Sequence, residues 1–281
     1  MKRRPVLLLL AAAPAVQATR SPLVFQMHDP GRESHWRYLL ALMKLAVERA
    51  GVDYEFVEAQ EPMTQARVIR EVAGRTGRLD LAWTMTSTER EQQMIPVRVP
   101  IDRGLIGHRI AFVRREHVGR WAELRTLDQL KRFTAGQGAD WPDTEILREN
   151  GLPVQTGSRY EVLFDMLRKG RIDYFPRAVF EIDDEAAGTL AQDLVIEPHV
   201  LLRYPAASYL FVRPDRPQLA ADLERGLEAA VADGSLQRLF QRHFGDLISR
   251  HRLAQRVVLN LHNPLLPPAT PLNRPAFWLV L

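Results

Sequence analysis

The chain has 281 residues, of which 46% are hydrophobic and 26% charged, a composition typical of a globular protein with one large or two modest cores. Three of its basic residues are Lys2, Arg3 and Arg4, and without them 35 Lys and Arg face 34 Asp and Glu. This near-neutral balance removes the main electrostatic argument for nucleic-acid binding. The absence of cysteine excludes disulfide frameworks, thiolate zinc sites and cysteine nucleophiles.

The N-terminus has the pattern of a secretory signal. The basic residues are followed by an apolar run at positions 6–13 that is too short to span a bilayer. Val16 and Ala18 then place small residues where a signal peptidase reads them. Residues 1–18 are therefore predicted to be a signal peptide, and export without cysteine favours the bacterial periplasm. No later run of about 18 apolar residues predicts a membrane span.

Short apolar strands alternate with helical stretches in the first half of the chain. Strands are predicted at residues 23–27, 54–57 and 79–83, and apolar residues at helical spacing predict a helix over 36–50. This alternation favours a mainly parallel sheet with helices on both faces.

A second α/β unit is predicted after the apolar segment 104–113. Thr126, with Gln129 three residues later, has the spacing of a capping box and predicts a helix start. A long helical stretch over 218–244 carries an apolar stripe typical of a core helix. The remainder, 248–281, is basic and then proline-rich, and we expect an extended arm lying on the body of the protein.

The first functional pattern is a strand that ends at Trp83 and leads to a turn rich in hydroxyls, followed by Arg90. The hydroxyls of Thr86 and Ser87, with backbone N–H groups at a helix start, can form an anion site, to which arginine adds a bidentate fork. Alternatively, these hydroxyls only cap a helix and Arg90 pairs with a surface carboxylate. The spacing alone leaves both interpretations open.

Over residues 22–247 the order of elements resembles the periplasmic solute-binding proteins of the polar-amino-acid class. Four local motifs carry the resemblance: the segment ending at Arg90, the turn 135–141, the strand 170–177 and the closing helices around Asp233-Gly234. The resemblance implies an α/β, two-lobed periplasmic-binding-protein type II fold. Each lobe would be a mainly parallel sheet flanked by helices, and two strands would form the hinge.

The resemblance also implies the domain boundaries. Lobe 1 would comprise residues 19–112 and 206–247, with lobe 2, residues 113–205, inserted between them. The hinge would lie near 110–113 and 204–210.

In the family this resemblance implies, the arginine of the first motif holds a ligand carboxylate, which makes Arg90 the main candidate. His28 follows the first strand, where ligand contact and loop capping are equally open. Aromatic residues near these turns could close over a ligand, although each is more often a core residue. The full set of candidate ligand-binding residues is Arg90, Thr86, Ser87, Trp83, Gln137, Trp141, Arg177, Tyr174 and His28.

The chain departs from the family pattern at one position. Where amino-acid binders commonly carry an acidic residue for the ligand's ammonium group, this chain has Ala178, preceded by Arg177. Glu181, one helical turn further on, is an alternative anchor. Arg90 and Arg177 on opposite lobes would favour a ligand with more negative charge, so the predicted ligand is a small anionic solute that carries a carboxylate.

The predicted function is an exported, monomeric binding protein that delivers this solute to an ABC-type importer or a sensor, and not an enzyme. No serine-hydrolase elbow and no His-x-x-x-His pair is present, so neither a catalytic site, a metal site nor a cofactor is predicted. Two alternatives remain. One is an envelope hydrolase that uses carboxylates on the same scaffold. The other is an interaction module that has lost solute binding and docks a partner through the tail containing Trp278.

Overall fold

The computed structural model describes residues 20–27, 33–74 and 77–281. The predicted signal peptide, 1–18, and His28 lie outside these residues. Within them, the chain forms two α/β lobes, each built around one β-sheet. In this described part, no helix has both the length and the hydropathy needed to cross a membrane.

The secondary-structure elements alternate along the chain much as the sequence predicts. In chain order the strands are β1 (Ser21–Phe25), β2 (Tyr54–Glu58), β3 (Leu81–Met85), β4 (Ile95–Val97), β5 (His108–Arg114), β6 (Ala135–Gly138), β7 (Val154–Gly157), β8 (Tyr174–Ala178), β9 (Leu194–Ile196), β10 (Val200–Arg203), β11 (Ser208–Val212) and β12 (Val257–Asn260). The helices are α1 (Glu33–Ala50), α2 (Gln65–Ala73), α3 (Thr88–Gln93), α4 (Val118–Trp121), α5 (Leu127–Leu130), α6 (Pro142–Glu149), α7 (Tyr160–Arg168), α8 (Ile182–Ala187), α9 (Pro217–Ala232) and α10 (Ser235–Arg250).

Lobe 1 contains the five-stranded sheet, in the order β2-β1-β3-β11-β4. Strand β1 is parallel to both β2 and β3, whereas β11 is antiparallel to both β3 and β4. Helix α1 packs against α9 over this sheet and buries Leu39, Leu42 and Met43. These positions recur at the spacing of one helical face, which is why the sequence predicts this helix well.

Lobe 2 contains the seven-stranded sheet, in the order β12-β10-β5-β8-β6-β7, with β9 also paired to β5. Strand β6 is parallel to β7 and β8, and β12 is parallel to β10. Strand β5 runs away from the other lobe and is antiparallel to β8, β9 and β10. Each sheet is therefore mainly parallel, as the sequence predicts, with a single strand running against the others: β11 in lobe 1 and β5 in lobe 2.

Two segments join the lobes, the second within the expected hinge position 204–210 and the first just before the expected position 110–113, which lies inside β5. Residues 104–107 lead into β5, and residues 204–207 lead from β10 into β11. They touch each other, since the backbone N–H of Tyr204 donates to the carbonyl of Gly107 at 3.1 Å. The predicted boundary at residue 112 falls inside β5, whose seven residues all belong to the sheet of lobe 2.

Residues 251–281, called here the C-terminal strap, leave lobe 1 after α10 and contribute β12 to the sheet of lobe 2. The sequence predicts an extended arm for this region but not a paired strand. The chain thus passes between the lobes at the strap as well as at the two hinge segments.

Candidate functional site

A cleft of about 660 Å³ lies between the two lobes, a volume in the usual range for small-molecule sites. Lobe 1 lines it with the start of α1, the start of α2, the end of β3 and one residue of α3. Lobe 2 lines it with β5, the start of α6 and the end of β8 with the turn that follows. The large aromatic side chains in the wall are Trp36, Trp83, Trp141 and Phe180.

Arg90 projects into the cleft from α3 on the lobe 1 side. Its Nη1 donates to Thr84 Oγ1 at 2.8 Å and to the carbonyl of Met85 at 2.7 Å. Among the residues that the structure describes, none accepts a hydrogen bond from its Nε or Nη2, and no carboxylate forms an ion pair with it. Burial lowers the pKa of the Arg90 guanidinium, although nearby carboxylates, including Asp143 of lobe 2, oppose this effect. Arg90 is thus fixed in orientation by the two bonds of Nη1, while its Nε and Nη2 have no acceptor among the described residues.

Thr84 fixes the orientation of Arg90, and the sequence interpretation did not single it out. Its side chain is buried at the end of β3, and its Oγ1 also lies 3.3 Å from Gln65 Nε2 on α2. A buried hydroxyl with two donors aimed at it is a well-satisfied acceptor. Thr84 therefore ties the arginine to both β3 and α2.

Thr86 and Ser87, the other hydroxyls of the motif, do not line the cleft. Thr86 is buried, and its Oγ1 donates to Glu91 Oε1 at 2.8 Å. Ser87 is the N-cap of the six-residue helix α3, and its Oγ accepts from the backbone N–H of Arg90 at 3.2 Å. Ser87 thus caps a helix, as the alternative interpretation expects, and Thr86 bonds to a side chain behind the wall. The ion pair between Arg90 and a surface carboxylate, which the same interpretation expects, is not found in the described part of the chain.

Arg177 also lines the cleft, from β8 on the lobe 2 side, but two carboxylates hold it. Its Nη2 lies 2.6 Å from Glu185 Oε1 and 3.0 Å from Glu181 Oε2, and its Nε donates to Glu185 at 2.9 Å. Burial alone would lower the pKa of this guanidinium, but the two carboxylates outweigh it and raise the pKa. The charge of Arg177 is therefore compensated within the protein.

Beside Arg177 lies a second buried ion pair that the sequence interpretation missed. Arg109 on β5 places its Nη2 2.8 Å from Asp143 Oδ1 and its Nη1 3.6 Å from Glu181 Oε2. Its Nε donates to the hydroxyl of Tyr204 at 2.8 Å, and that hydroxyl donates to Asp143. The sequence does contain a signal for this ion pair: Arg109 lies inside the apolar segment 104–113, and a charged residue buried there needs a partner of opposite charge.

The charge of the cleft therefore differs from the one expected. On the lobe 2 side, Arg109 and Arg177 are matched by Asp143, Glu181 and Glu185, which leaves one carboxylate in excess. On the lobe 1 side stands Arg90. The expectation of two free arginines facing a ligand is wrong for Arg177, because its ion pairs are made inside its own lobe.

Trp83 and Trp141 both line the cleft, as the sequence interpretation proposed. Trp83 packs against Trp36, with ring centroids 5.7 Å apart. The ring of Trp141 lies 4.7 Å from the guanidinium carbon of Arg177, a cation–π arrangement. A Cβ added at Gly138 would lie 2.5 Å from the Trp141 ring. The glycine in this turn thus leaves room for the indole.

Gln137 and Tyr174 do not line the cleft. Gln137 is buried in β6, and its Nε2 lies 3.4 Å from the carbonyl of Pro176. Tyr174 is fully buried in lobe 2 against Trp121, with ring centroids 5.2 Å apart. Side chains alternate along a strand, so Tyr174 lies on the opposite face of β8 from Arg177. The proposed contact of these two residues with a ligand has no support in their placement.

A metal site is not evident in the residues that the structure describes, since no group of three or more His, Cys, Asp or Glu there could hold an ion. The arrangement is suited to holding a small molecule with a carboxylate on the lobe 1 side and an aromatic or apolar body between the tryptophans.

No protein-family profile and no curated protein sequence matches the chain. Solved structures do match, at low identity. An ancestral arginine-binding protein bound to arginine is 17% identical, with a TM-score of 0.56, over 80% of this chain and 99% of that one. The amino acid ABC transporter substrate-binding protein AbpA from Streptococcus pneumoniae, bound to L-arginine, is 16% identical, with a TM-score of 0.53, over 75% and 84%.

A sensor protein shares the same fold. A histidine kinase sensor domain similar to periplasmic binding proteins is 18% identical, with a TM-score of 0.55, over 80% of this chain and 96% of that one. At these identities the similarity concerns the fold. The prediction of a two-lobed α/β fold of the solute-binding type is therefore confirmed.

Proposed function

We propose that the protein is an exported solute-binding protein whose two lobes close on a small molecule carrying a carboxylate, held by Arg90. The single observation that carries the proposal is the state of this side chain. Arg90 is largely buried, oriented by Thr84 and Met85, and faces an inter-lobe cleft with no carboxylate of the described residues paired to it. Placing a cation there without a partner is unfavourable unless a ligand supplies the opposite charge.

The geometry refines the class of solute. The predicted anionic character now rests on Arg90 alone, because Arg177 is paired with Glu185 and Glu181. The tryptophans that line both walls, Trp83 and Trp141, suit an apolar or planar body. We therefore propose a small solute that carries a carboxylate, and the experiment below tests whether its overall charge is negative.

The fold supports a role in binding and not in catalysis. The similar structures include an ABC transporter substrate-binding protein and a histidine kinase sensor domain, so we propose delivery to an importer or a sensor. We also propose a periplasmic location, which the predicted signal peptide supports, and a monomeric state.

Native mass spectrometry of freshly purified protein, followed by thermal unfolding with a panel of solutes, tests the proposal. The panel consists of L-glutamate, succinate, L-arginine and putrescine, which separate a carboxylate requirement from overall charge. A solute that binds should stabilise the protein by about 2.7 kcal/mol at a hundredfold excess over its Kd. We expect stabilisation by carboxylates, none by putrescine, and loss of the shift in Arg90→Ala.

Arg242→Ala is the matched control, because Arg242 is an exposed arginine of lobe 1 on α10. It should bind as the wild type does. Stabilisation by L-arginine but not by succinate would support binding of a carboxylate by Arg90 and would contradict a ligand of negative overall charge. Hydrolysis of the guanidinium C–N bond of L-arginine that survives in Arg90→Ala would instead support the hydrolase alternative and overturn the proposal.

A further inference from the structure

The C-terminal strap, residues 251–281, begins as part of lobe 2. His251 Nε2 lies 2.7 Å from Asp183 Oδ1 on α8. Arg256 is buried, with its Nη1 3.0 Å from Glu197 Oε1 and bonded to the carbonyls of Glu197 and Val200. Strand β12 then pairs in parallel with the whole of β10. This first part of the strap is fixed to lobe 2 by backbone and side-chain bonds.

The middle of the strap crosses the hinge. His262 forms two hydrogen bonds with the side chain of Asn150, of 2.7 and 2.8 Å, at the end of α6. The next residue, Asn263, donates from Nδ2 to the carbonyl of Pro205 at 2.8 Å, and Pro205 lies in the second hinge segment. The strap therefore leaves lobe 2 in direct contact with one of the two segments that must bend when the lobes move.

The end of the strap is fixed to lobe 1 and to the other hinge segment. Phe277 is buried in the core, and Arg274 forms an ion pair with Glu228 on α9. The N–H of Leu279 donates to the carbonyl of Arg103 at 2.8 Å, and Arg103 Nη2 donates to the carbonyl of Trp278 at 2.9 Å. These bonds attach the last residues of the strap to Arg103, the residue just before the first hinge segment.

Trp278 covers that hinge segment closely. A Cβ added at Gly104 would lie 2.6 Å from its ring, and Gly104 itself has a φ of +76°, so the position favours glycine both sterically and conformationally. The indole Nε1 donates to the carbonyl of Pro271 at 3.0 Å, which folds the end of the strap back on itself. The ring is thus wedged between the hinge and the strap.

We infer that the C-terminal strap is a built-in tether that limits how far the two lobes separate. One end is part of the sheet of lobe 2, the other is anchored in lobe 1, and the connection touches both hinge segments. Its five prolines, between positions 264 and 275, restrict the backbone and leave the connection little freedom to extend. Lobe opening must then either stretch the strap or detach Trp278 from Gly104. The inference does not depend on which solute the cleft takes.

The test measures the lobe separation directly in the full chain without solute. The protein has no cysteine, so Glu61→Cys and Ala139→Cys supply two spin-label sites, both exposed and close to residues that line opposite sides of the cleft. Electron–electron double resonance then gives the distribution of label distances. Trp278→Ala in this background should shift the distribution to longer separations and broaden it.

Leu272→Ala is the matched control, because Leu272 lies in the same strap but is 52% exposed. It should leave the distribution unchanged. Should Trp278→Ala fail to fold, Trp278→Phe, which keeps a ring but loses the bond to Pro271, carries the same expectation at smaller amplitude. An unchanged distribution in a folded Trp278 variant overturns the inference. Solute binding is measured with Arg90→Ala and lobe separation without solute with the Trp278 variants, so the two proposals fail separately.

Discussion

The two walls of the cleft carry arginines in opposite settings. On the lobe 1 wall, a hydroxyl and a carbonyl orient the guanidinium of Arg90, and no carboxylate among the described residues pairs with it. On the lobe 2 wall, Arg109 and Arg177 are buried among three carboxylates. In the first setting the positive charge is available to a ligand, whereas in the second it is compensated by carboxylates of the protein itself. The residue type alone thus does not say whether an arginine recognises a ligand or maintains a wall.

The largest expected effect concerns the ion pairs of lobe 2. Glu185→Ala would leave Arg177 buried without its closest carboxylate, and breaking a buried pair in this way costs about 3–5 kcal/mol. Urea unfolding of the variant should show this loss. Arg90→Ala, which breaks no ion pair among the described residues, should change the free energy of unfolding much less. Equal losses in the two variants would abolish the distinction between the walls.

Glu149→Ala serves as the control for this comparison, because Glu149 lies on α6 of the same lobe and is exposed. Its free energy of unfolding should stay within about 0.5 kcal/mol of the wild type.

A buried carboxylate that forms no ion pair among the described residues gives the next effect, which appears in the pH dependence of stability. Asp102, next to the first hinge segment, is buried, and burial raises the pKa of its carboxyl to about 7, although hydrogen bonds, such as that from the Gly104 N–H at 3.0 Å, partly oppose this. The folded state therefore holds a proton that the unfolded chain releases near its ordinary pKa of 3.8. Stability from this group is full below about pH 4 and declines as the pH rises to about 7.

Asp102→Asn should remove this decline, so that between pH 4 and pH 7 the free energy of unfolding of the variant falls less, or rises more, than that of the wild type. Urea titrations at several pH values measure the difference. A wild-type stability that rises through this range, with the same slope in Asp102→Asn, would contradict the assigned direction of the Asp102 shift.

The smallest effect separates two threonines of the lobe 1 wall. Thr84→Val removes the hydroxyl that orients Arg90, and we expect binding of the best panel solute to weaken on the order of tenfold. Thr86→Val removes a bond to Glu91 behind the wall and should lower stability but leave Kd unchanged. Isothermal titration of both variants with the same solute compares them. A larger loss of affinity in Thr86→Val would restore the original interpretation of this turn.

Much of the fold could be predicted because its signals are local. The capping box of Thr126 with Gln129 is present, and the closing helical stretch breaks after Ala232 where the Asp-Gly pair stands. Strand β12 could not be predicted in the same way. Its four residues follow a basic segment and precede prolines, and only pairing with β10, more than fifty residues earlier in sequence, makes them a strand.

The candidate site was predicted in part for the same reason. Trp83 stands near the end of β3 and Arg90 on the short helix after the turn that follows, where the order of elements already points to a cleft. Whether the charge of Arg177 is compensated depends on Glu185, eight residues further along the chain. The role of Arg109 depends on Asp143, which only the packing of α6 against β5 brings close. Such partnerships are set by tertiary structure, so the spacing of residues does not reveal them.

The position of β11 has a consequence for how the molecule assembles. This strand lies between β3 and β4 in the sheet of lobe 1, yet it follows the segment that forms most of lobe 2. Strands β5 to β10 can pair among themselves using a continuous stretch of chain, whereas the lobe 1 sheet lacks an inner strand until that stretch is complete. Because distant pairings form slowly, we expect lobe 2 to be structured while lobe 1 is still open, with β11 and α9 closing it. Lobe 2 would then fold first and lobe 1 second, and the strap would pack last.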